Sequence, residues 1–221
     1  MAKLSALQLV QEVQLNNGLG TSTALTALTG LNYKIWQYIQ DGIYDIGVNE
    51  KWRPLEEDGT ITLADGTASY PQASDLNEVD KNSFIYDQKM QLRWYSPQEI
   101  DRLYPTRTSS GDPIGVFEWK GSYDFINTAN AANATKTVKY RHWKIPAILS
   151  TATAAGTSWF PEGFDRTVLV NYGTFRTLQY RHNDEFKEYK EKVFGRGMFL
   201  DQMKRIHRSP NSNKVLVDGK F

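Results

Sequence analysis

The period of the apolar positions changes twice along the chain. Leu4, Leu7, Val10 and Val13 recur every third residue with Gln and Glu between them. That spacing predicts a helix over 4–15, which Asn16-Asn17-Gly18 ends. Thr21-Ser22-Thr23 offers a second helix start. From there Leu25, Leu28, Ile35, Ile39, Ile43 and Ile46 follow steps of three, four or seven, and Asn32 is the polar residue on the stripe. Continued to Asn49, this helix would be roughly 40 Å long. Gly30, Gly42 and Gly47 each weaken it by about 1 kcal/mol relative to Ala, so it is open to a kink or break. Trp36 and Tyr38 lie partly off the stripe and imply a second apolar contact.

Trp52-Arg53-Pro54 ends the helical period. Residues 55–145 are punctuated by turn residues: Asp58-Gly59, Asp65-Gly66, Ser110-Gly111-Asp112-Pro113 and Gly121. Between them lie short alternating runs, Thr60 to Leu63, Gln91 to Tyr95, Ile114 to Lys120 and Val138 to Trp143, which predict a small antiparallel sheet or sandwich. Within it, Ser96-Pro97-Gln98-Glu99 places a capping residue, a proline at the first helical position and an acidic first turn. A short helix through Leu103 is expected.

Residues 146–160 are small and polar and read as a loop. Ser158-Trp159-Phe160-Pro161-Glu162 then opens a third helical segment, with Val168, Tyr172 and Phe175 on one face and Leu169 and Leu178 beside them. Asn183-Asp184-Glu185 can cap a fourth, whose stripe is Phe186, Tyr189, Val193, Leu200 and Met203; Gly195 and Gly197 leave it open to a kink. An amphipathic helix needs apolar surface to cover its stripe, so the two outer helical blocks are expected to bury theirs against each other. The expected fold is α+β. A helical bundle is built from both chain ends, 1–52 and 161–206. An antiparallel β-rich lobe, 53–160, is inserted between them, and an extended C-terminal arm, 207–221, comes last.

Composition narrows the function. The 221 residues are 40% hydrophobic with a net charge of +1, which excludes wholesale disorder. No apolar run approaches the roughly 18 residues of a membrane span. The first residues hold no continuous apolar stretch, so no secretory leader is expected. The chain has no cysteine, which removes disulfides, thiolate metal sites and a cysteine nucleophile. No nucleotide-binding, zinc-protease or serine-hydrolase motif is present, and neither catalysis nor a cofactor is expected. Charge is polarised: 15 acids against 7 bases over 41–118, and 11 bases against 6 acids from Arg176 onward. Either the two regions are simply solvated, or the subunit meets different partners at its two ends.

Individual candidates weigh little. His182 and Glu185 are three apart on the expected helix and share a face, but no further Glu or Glu-x-x-His pairs complete a metal site. Glu99 and Asp101 have no spacing that marks an acid–base pair. Tyr140-Arg141-His142-Trp143-Lys144 interleaves bases with aromatics, as single-strand nucleic-acid binders do. Edge strands that resist pairing look the same, and the edge reading is preferred. Lys204, Arg205 and Arg208 are candidate bases for a DNA channel or a protein interface. The arm begins with polar Ser209-Pro210-Asn211-Ser212-Asn213 and ends in Lys214-Val215-Leu216-Val217-Asp218. It is expected to order only on a partner that supplies main-chain hydrogen bonds.

The order of elements carries a resemblance. The long helix ends near a tryptophan, Ile46 to Trp52. Gly66-Thr67-Ala68-Ser69-Tyr70-Pro71 comes next in the β-rich stretch. Ser109, Gly111, Asp112 and Pro113 precede the aromatic strand Val116-Phe117-Glu118-Trp119, and Phe160-Pro161 leads into paired C-terminal helices. Over most of residues 1–206 the chain resembles the head-to-tail adaptor (connector) proteins of tailed bacteriophages, especially the short-tailed type. The resemblance implies a structural protein at the head–tail junction of the virion, made in the host cytoplasm. It implies a homo-oligomeric ring, usually of twelve subunits, that joins the portal to the tail nozzle and fibres. The ring extends the channel through which DNA passes during ejection, without sequence-specific contacts and without a membrane. It implies portal docking by the arm, here Asn213, Lys214, Val215, Leu216, Val217 and Phe221. The alternative is a tail-associated receptor- or carbohydrate-binding component whose 6 Trp and 12 Tyr build an aromatic platform.

Overall fold

The computed structural model describes residues 2–106 and 109–208. The expected arm lies outside them beyond Arg208. The chain is α+β and divides into two compact units. One is Met1–Leu55 together with the chain from Ile145 onward, and the other is Glu56–Lys144.

In the first unit, α1 spans Ala6–Asn16. A reciprocal cap starts it: Ser5 Oγ accepts from the Gln8 amide at 3.3 Å, and Gln8 Oε1 accepts from the Ser5 amide at 2.8 Å. The second helix, α2, spans Gly30–Val48 rather than starting near Thr21. Fully buried Gln14 is the reason. Its Oε1 accepts from the Ser22 amide at 2.8 Å, its Nε2 donates to Ser22 Oγ at 2.6 Å, and Gln11 Nε2 donates to the Ser22 carbonyl at 2.8 Å. Those bonds hold Ser22 off a helical path. Leu25 and Leu28 still reach the core, from a 3₁₀ turn over Leu25–Ala27 and the residue after it.

No break interrupts α2, because its glycines serve packing. A Cβ on Gly42 would stand 2.8 Å from Tyr172 Cδ1, and one on Gly47 would stand 2.5 Å from Pro146 Cγ. Tyr172 cannot swing aside freely. Its hydroxyl is 3.1 Å from Asp45 Oδ2, and its ring meets Phe175 and Phe194 edge-on. Gly42→Ala gains about 1 kcal/mol of helix propensity but overpacks the site at a typical cost of about 1–3 kcal/mol. A lowered melting temperature is expected by calorimetry; an unchanged or raised one would show that the Tyr172 ring yields.

The third helical segment starts later than Ser158. Trp159 Nε1 donates to the Ile43 carbonyl at 3.1 Å and Phe160 is fully buried, so both residues act as loop anchors. Asp165–Val170 is wound as a π-helix that runs into α4, Asn171–Tyr180. The π turn brings Asp165 inward, where its carboxylate accepts the Leu4 amide, and sends the Arg166 guanidinium to Glu12 of α1. The fourth expected helix is two: α5, Phe186–Phe194, and α6, Phe199–His207. Gly197 at φ +75° lies in the break between them. Residues 145–160, read from composition with the β-rich lobe, belong to this unit. The Ala6 amide donates to the Gly156 carbonyl at 2.7 Å, and the Leu149 amide donates to Gln40 Oε1 at 2.9 Å. Helices from both chain ends share one core, in which Leu9, Val13, Ile35, Ile39, Ile43, Val168, Leu169, Val193 and Met203 are buried.

The second unit holds two sheets. β1 (Glu56–Thr62), β3 (Leu76–Val79), β4 (Ile85–Tyr86), β5 (Met90–Gln91) and β9 (Thr137–Lys144) form the first, in the order β1-β9-β4-β5 with β3 also on β9. β2 (Ser69–Pro71), β6 (Arg93–Trp94), β7 (Gly115–Trp119) and β8 (Ser122–Ile126) form the second. Pairing is antiparallel except for β6 beside β7, which corrects the purely antiparallel expectation. Lys120 and Gly121 both have positive φ and close the two-residue β7–β8 hairpin. Asp58-Gly59, expected as a turn, lies inside β1. The Tyr140 ring covers Gly59, where a Cβ would sit 2.2 Å from Tyr140 Cζ. That ring stacks on Phe84 at 5.1 Å and meets Tyr123 edge-on, forming the centre of the lobe's core. The expected helix after Ser96 is present as α3, Pro97–Leu103, with Ser96 and Glu99 capping each other.

Candidate partner interface

The three candidate bases cluster at the end of α6, and all three are paired with acids, two of them with the same one. Glu50, just past the end of α2, is only 15% exposed at its side chain. Its Oε1 lies 2.7 Å from Lys204 Nζ, and its Oε2 lies 3.6 Å from Arg208 Nε. Two residues on, Trp52 forms an antiparallel backbone bridge with Arg208. Trp52 is itself fully buried, donates Nε1 to the Ile46 carbonyl at 2.8 Å and packs against Trp159. Arg205 faces outward and pairs with Asp201 one turn earlier at 2.8 Å. His207 meets Phe164 edge-on; burial, and then the neighbouring Arg53, hold its imidazole below the ordinary histidine range. The last described residue, Arg208, is therefore held between the loop after α2 and the end of α6.

The remaining candidates fall elsewhere. His182 and Glu185 are not on one helix; they sit in the turn between α4 and α5, with His182 at φ +55°, so they do not share a helical face. Glu99 is held below the ordinary carboxylate range by hydrogen bonds from the Ser96 amide and hydroxyl, so its role is to cap α3. Tyr140 to Lys144 is the middle of a sheet and not an edge, since β9 has β1 on one side and β3 and β4 on the other. Tyr140, His142 and Trp143 are buried. The bases of that strand are answered across the ladder: Arg141 by Glu56 at 3.0 Å and Lys144 by Glu57 at 2.8 Å. The hydrogen bond from Lys144 holds the Glu57 carboxyl below its ordinary range. A nucleic-acid-binding stripe would need those groups free and outward.

Of the six tryptophans only Trp119 is exposed, and the tyrosines Tyr70, Tyr86, Tyr95, Tyr123, Tyr140 and Tyr172 are core residues. An aromatic binding platform is therefore not what most of these rings form. Among the described residues no three His, Asp or Glu side chains gather as metal ligands, and no helix is long and apolar enough to cross a membrane. Asn213, Lys214, Val215, Leu216, Val217 and Phe221 lie outside the described residues. Sequence reasoning missed Glu50. Its partners are 154 and 158 residues away, and no local spacing marks such a pairing.

A family model described as SU10 adaptor protein matches residues 5–216. No curated protein matches the chain.

Proposed function

The chain belongs to the SU10 adaptor protein family, structural adaptors of the bacteriophage virion, and from that premise we propose that it is the head-to-tail adaptor of a short-tailed phage. Copies of it assemble as a ring, of twelve subunits as in the adaptors it resembles, between the portal and the tail nozzle and fibres. The ring extends the channel through which DNA leaves the head, and the arm from Ser209 to Phe221 seats each subunit on the portal. The family match across nearly the whole chain, arm included to Leu216, carries this reading. The charge asymmetry between 41–118 and the region after Arg176 agrees with two dissimilar partners. Lys204 and Arg208 are held by Glu50, which favours protein docking over DNA contact at that end.

Mixing the purified chain with portal complexes from the same phage tests the reading. Negative-stain images should show an added ring in register with the portal's symmetry. Portals that gain no mass, together with a stable trimer of the free chain in gel filtration, would favour a tail-borne receptor binder instead.

A further inference from the structure

We propose that Glu50 is the positioning residue of the C-terminal arm: it clamps the end of α6 to the end of α2 and so fixes where and in what direction the arm departs. The clamp presupposes the arm as portal anchor and adds how that anchor is aimed.

Three contacts converge within five residues of the departure point. The Glu50 carboxylate hydrogen-bonds Lys204 of α6 at 2.7 Å and lies within ion-pair reach, 3.6 Å, of Arg208, the extended residue that caps the helix. The backbone bridge from Trp52 to Arg208 continues the hold to the last described residue. His207, between the two bases, is pinned edge-on against Phe164. The charged groups near this point include Glu50, its neighbour Lys51, Lys204, Arg208, and Arg53 beside His207. Glu50 is thus the acid that both bases share. Removing one partner of a mostly buried ion pair is costly because the charge left behind is uncompensated, and losing this acid leaves two cations facing each other.

The remaining structure does not require this arrangement. The α6 stripe is already anchored by Met203, which is fully buried, and by Phe199 and Leu200 against the same core. The amide of Arg208 bonds back to the Lys204 carbonyl at 3.1 Å, which closes the last turn of the helix. The clamp therefore acts on the last turn of α6 rather than on the core. Its consequence is preorganisation: an arm that starts from one fixed point meets the portal without first being aligned.

Glu50→Gln keeps the shape and removes the charge. The test uses the full-length chain with two readouts, amide hydrogen exchange of residues 204–208 and titration onto portal complexes. Exchange at those amides should rise at least about tenfold, and assembly should weaken by about tenfold, as when the binding-competent arrangement falls to about a tenth of the population. Gly42→Ala is the comparison: it disturbs the core and leaves the clamp in place, so a lower melting temperature with unaltered assembly is expected of it. Unaltered exchange at 204–208 in Glu50→Gln would overturn the clamp. Faster exchange with assembly unaltered, or Gly42→Ala weakening assembly as much as Glu50→Gln does, would overturn its role in aiming the arm. The exchange readout does not involve the portal, so failure of the anchor reading is told apart by removing the arm itself.

Discussion

Expressed apart, residues 1–52 and 161–206 are expected not to fold. The helical unit is one core shared between the two ends of the chain, and each half supplies what the other lacks. Val13 of α1 lies against Gly173 of α4, where a Cβ would be 2.9 Å from Val13 Cγ2. Gly42 of α2 receives the ring of Tyr172. Asp165, 1% exposed, depends on the Leu4 amide as a partner for its carboxylate. Separation would expose Leu9, Val10, Val13, Ile35, Ile39 and Ile43 on one fragment and Val168, Leu169 and Phe175 on the other. Each such side chain contributes roughly 1.5–3 kcal/mol by burial, so losing several of them is enough to cancel the roughly 5–15 kcal/mol net stability of a whole domain. It would also leave buried Asp165 with the Arg166 amide but without the Leu4 amide. Circular dichroism of each fragment should show weak helicity and a broad melt, while the intact chain melts sharply. A sharp transition in either fragment alone would mean that the core is not shared.

Removing residues 209–221 is expected to abolish assembly on the portal while leaving the melting temperature nearly unchanged. The segment offers Val215, Leu216 and Val217 as its apolar content. Burying three such side chains contributes on the order of 4–6 kcal/mol. Ordering about a dozen residues costs roughly 1–2 kcal/mol for each backbone, which is more. The balance turns favourable only where a partner adds main-chain hydrogen bonds, as strand addition does. The described residues end at Arg208, which pairs with Glu50 and bridges to Trp52. Melting by calorimetry and co-sedimentation with portal complexes give the two readouts. A truncated chain that still assembles normally would move the anchor to the helical unit.

Much of the architecture was legible because it depends on periodicity that neighbouring residues share. The stripes Ile35-Ile39-Ile43 and Val168-Tyr172-Phe175 need an apolar surface wherever they sit and are buried, as are Leu4, Val10 and Val13 of the first, whereas its Leu7 is only partly buried and Leu9, off that stripe, is fully buried. Ser96-Pro97-Gln98-Glu99 states a helix start within four residues, and α3 begins there. The alternation of 138–143 forecasts a strand, and β9 covers it. The resemblance to head-to-tail adaptors rested on such local pieces in their order, and the family match over 5–216 agrees with it.

What the sequence left open was decided by contacts between distant residues. Gly42 and Gly47 read as weak points of a helix, and only Tyr172 and Pro146 reveal them as places of close approach. Asp58-Gly59 has the composition of a turn, but Tyr140 on the next strand uses the missing side chain as space for its ring. Ser22 would have begun a helix had Gln14 not claimed its amide and hydroxyl. β9 carries the bases of an edge strand, yet it has β1 on one side and β3 and β4 on the other, and Glu56 and Glu57 of β1 reach its Arg141 and Lys144 across the ladder. Glu50 becomes a clamp only when α6 returns to it from 154 residues further along the chain. By itself the sequence determined most of the helical segments, the longest strands and which faces must be covered, because propensity and burial act on each residue and its near neighbours. The tertiary structure alone decided which glycine is a turn and which is a contact, and which base is free and which is held, because those outcomes depend on the residue brought opposite.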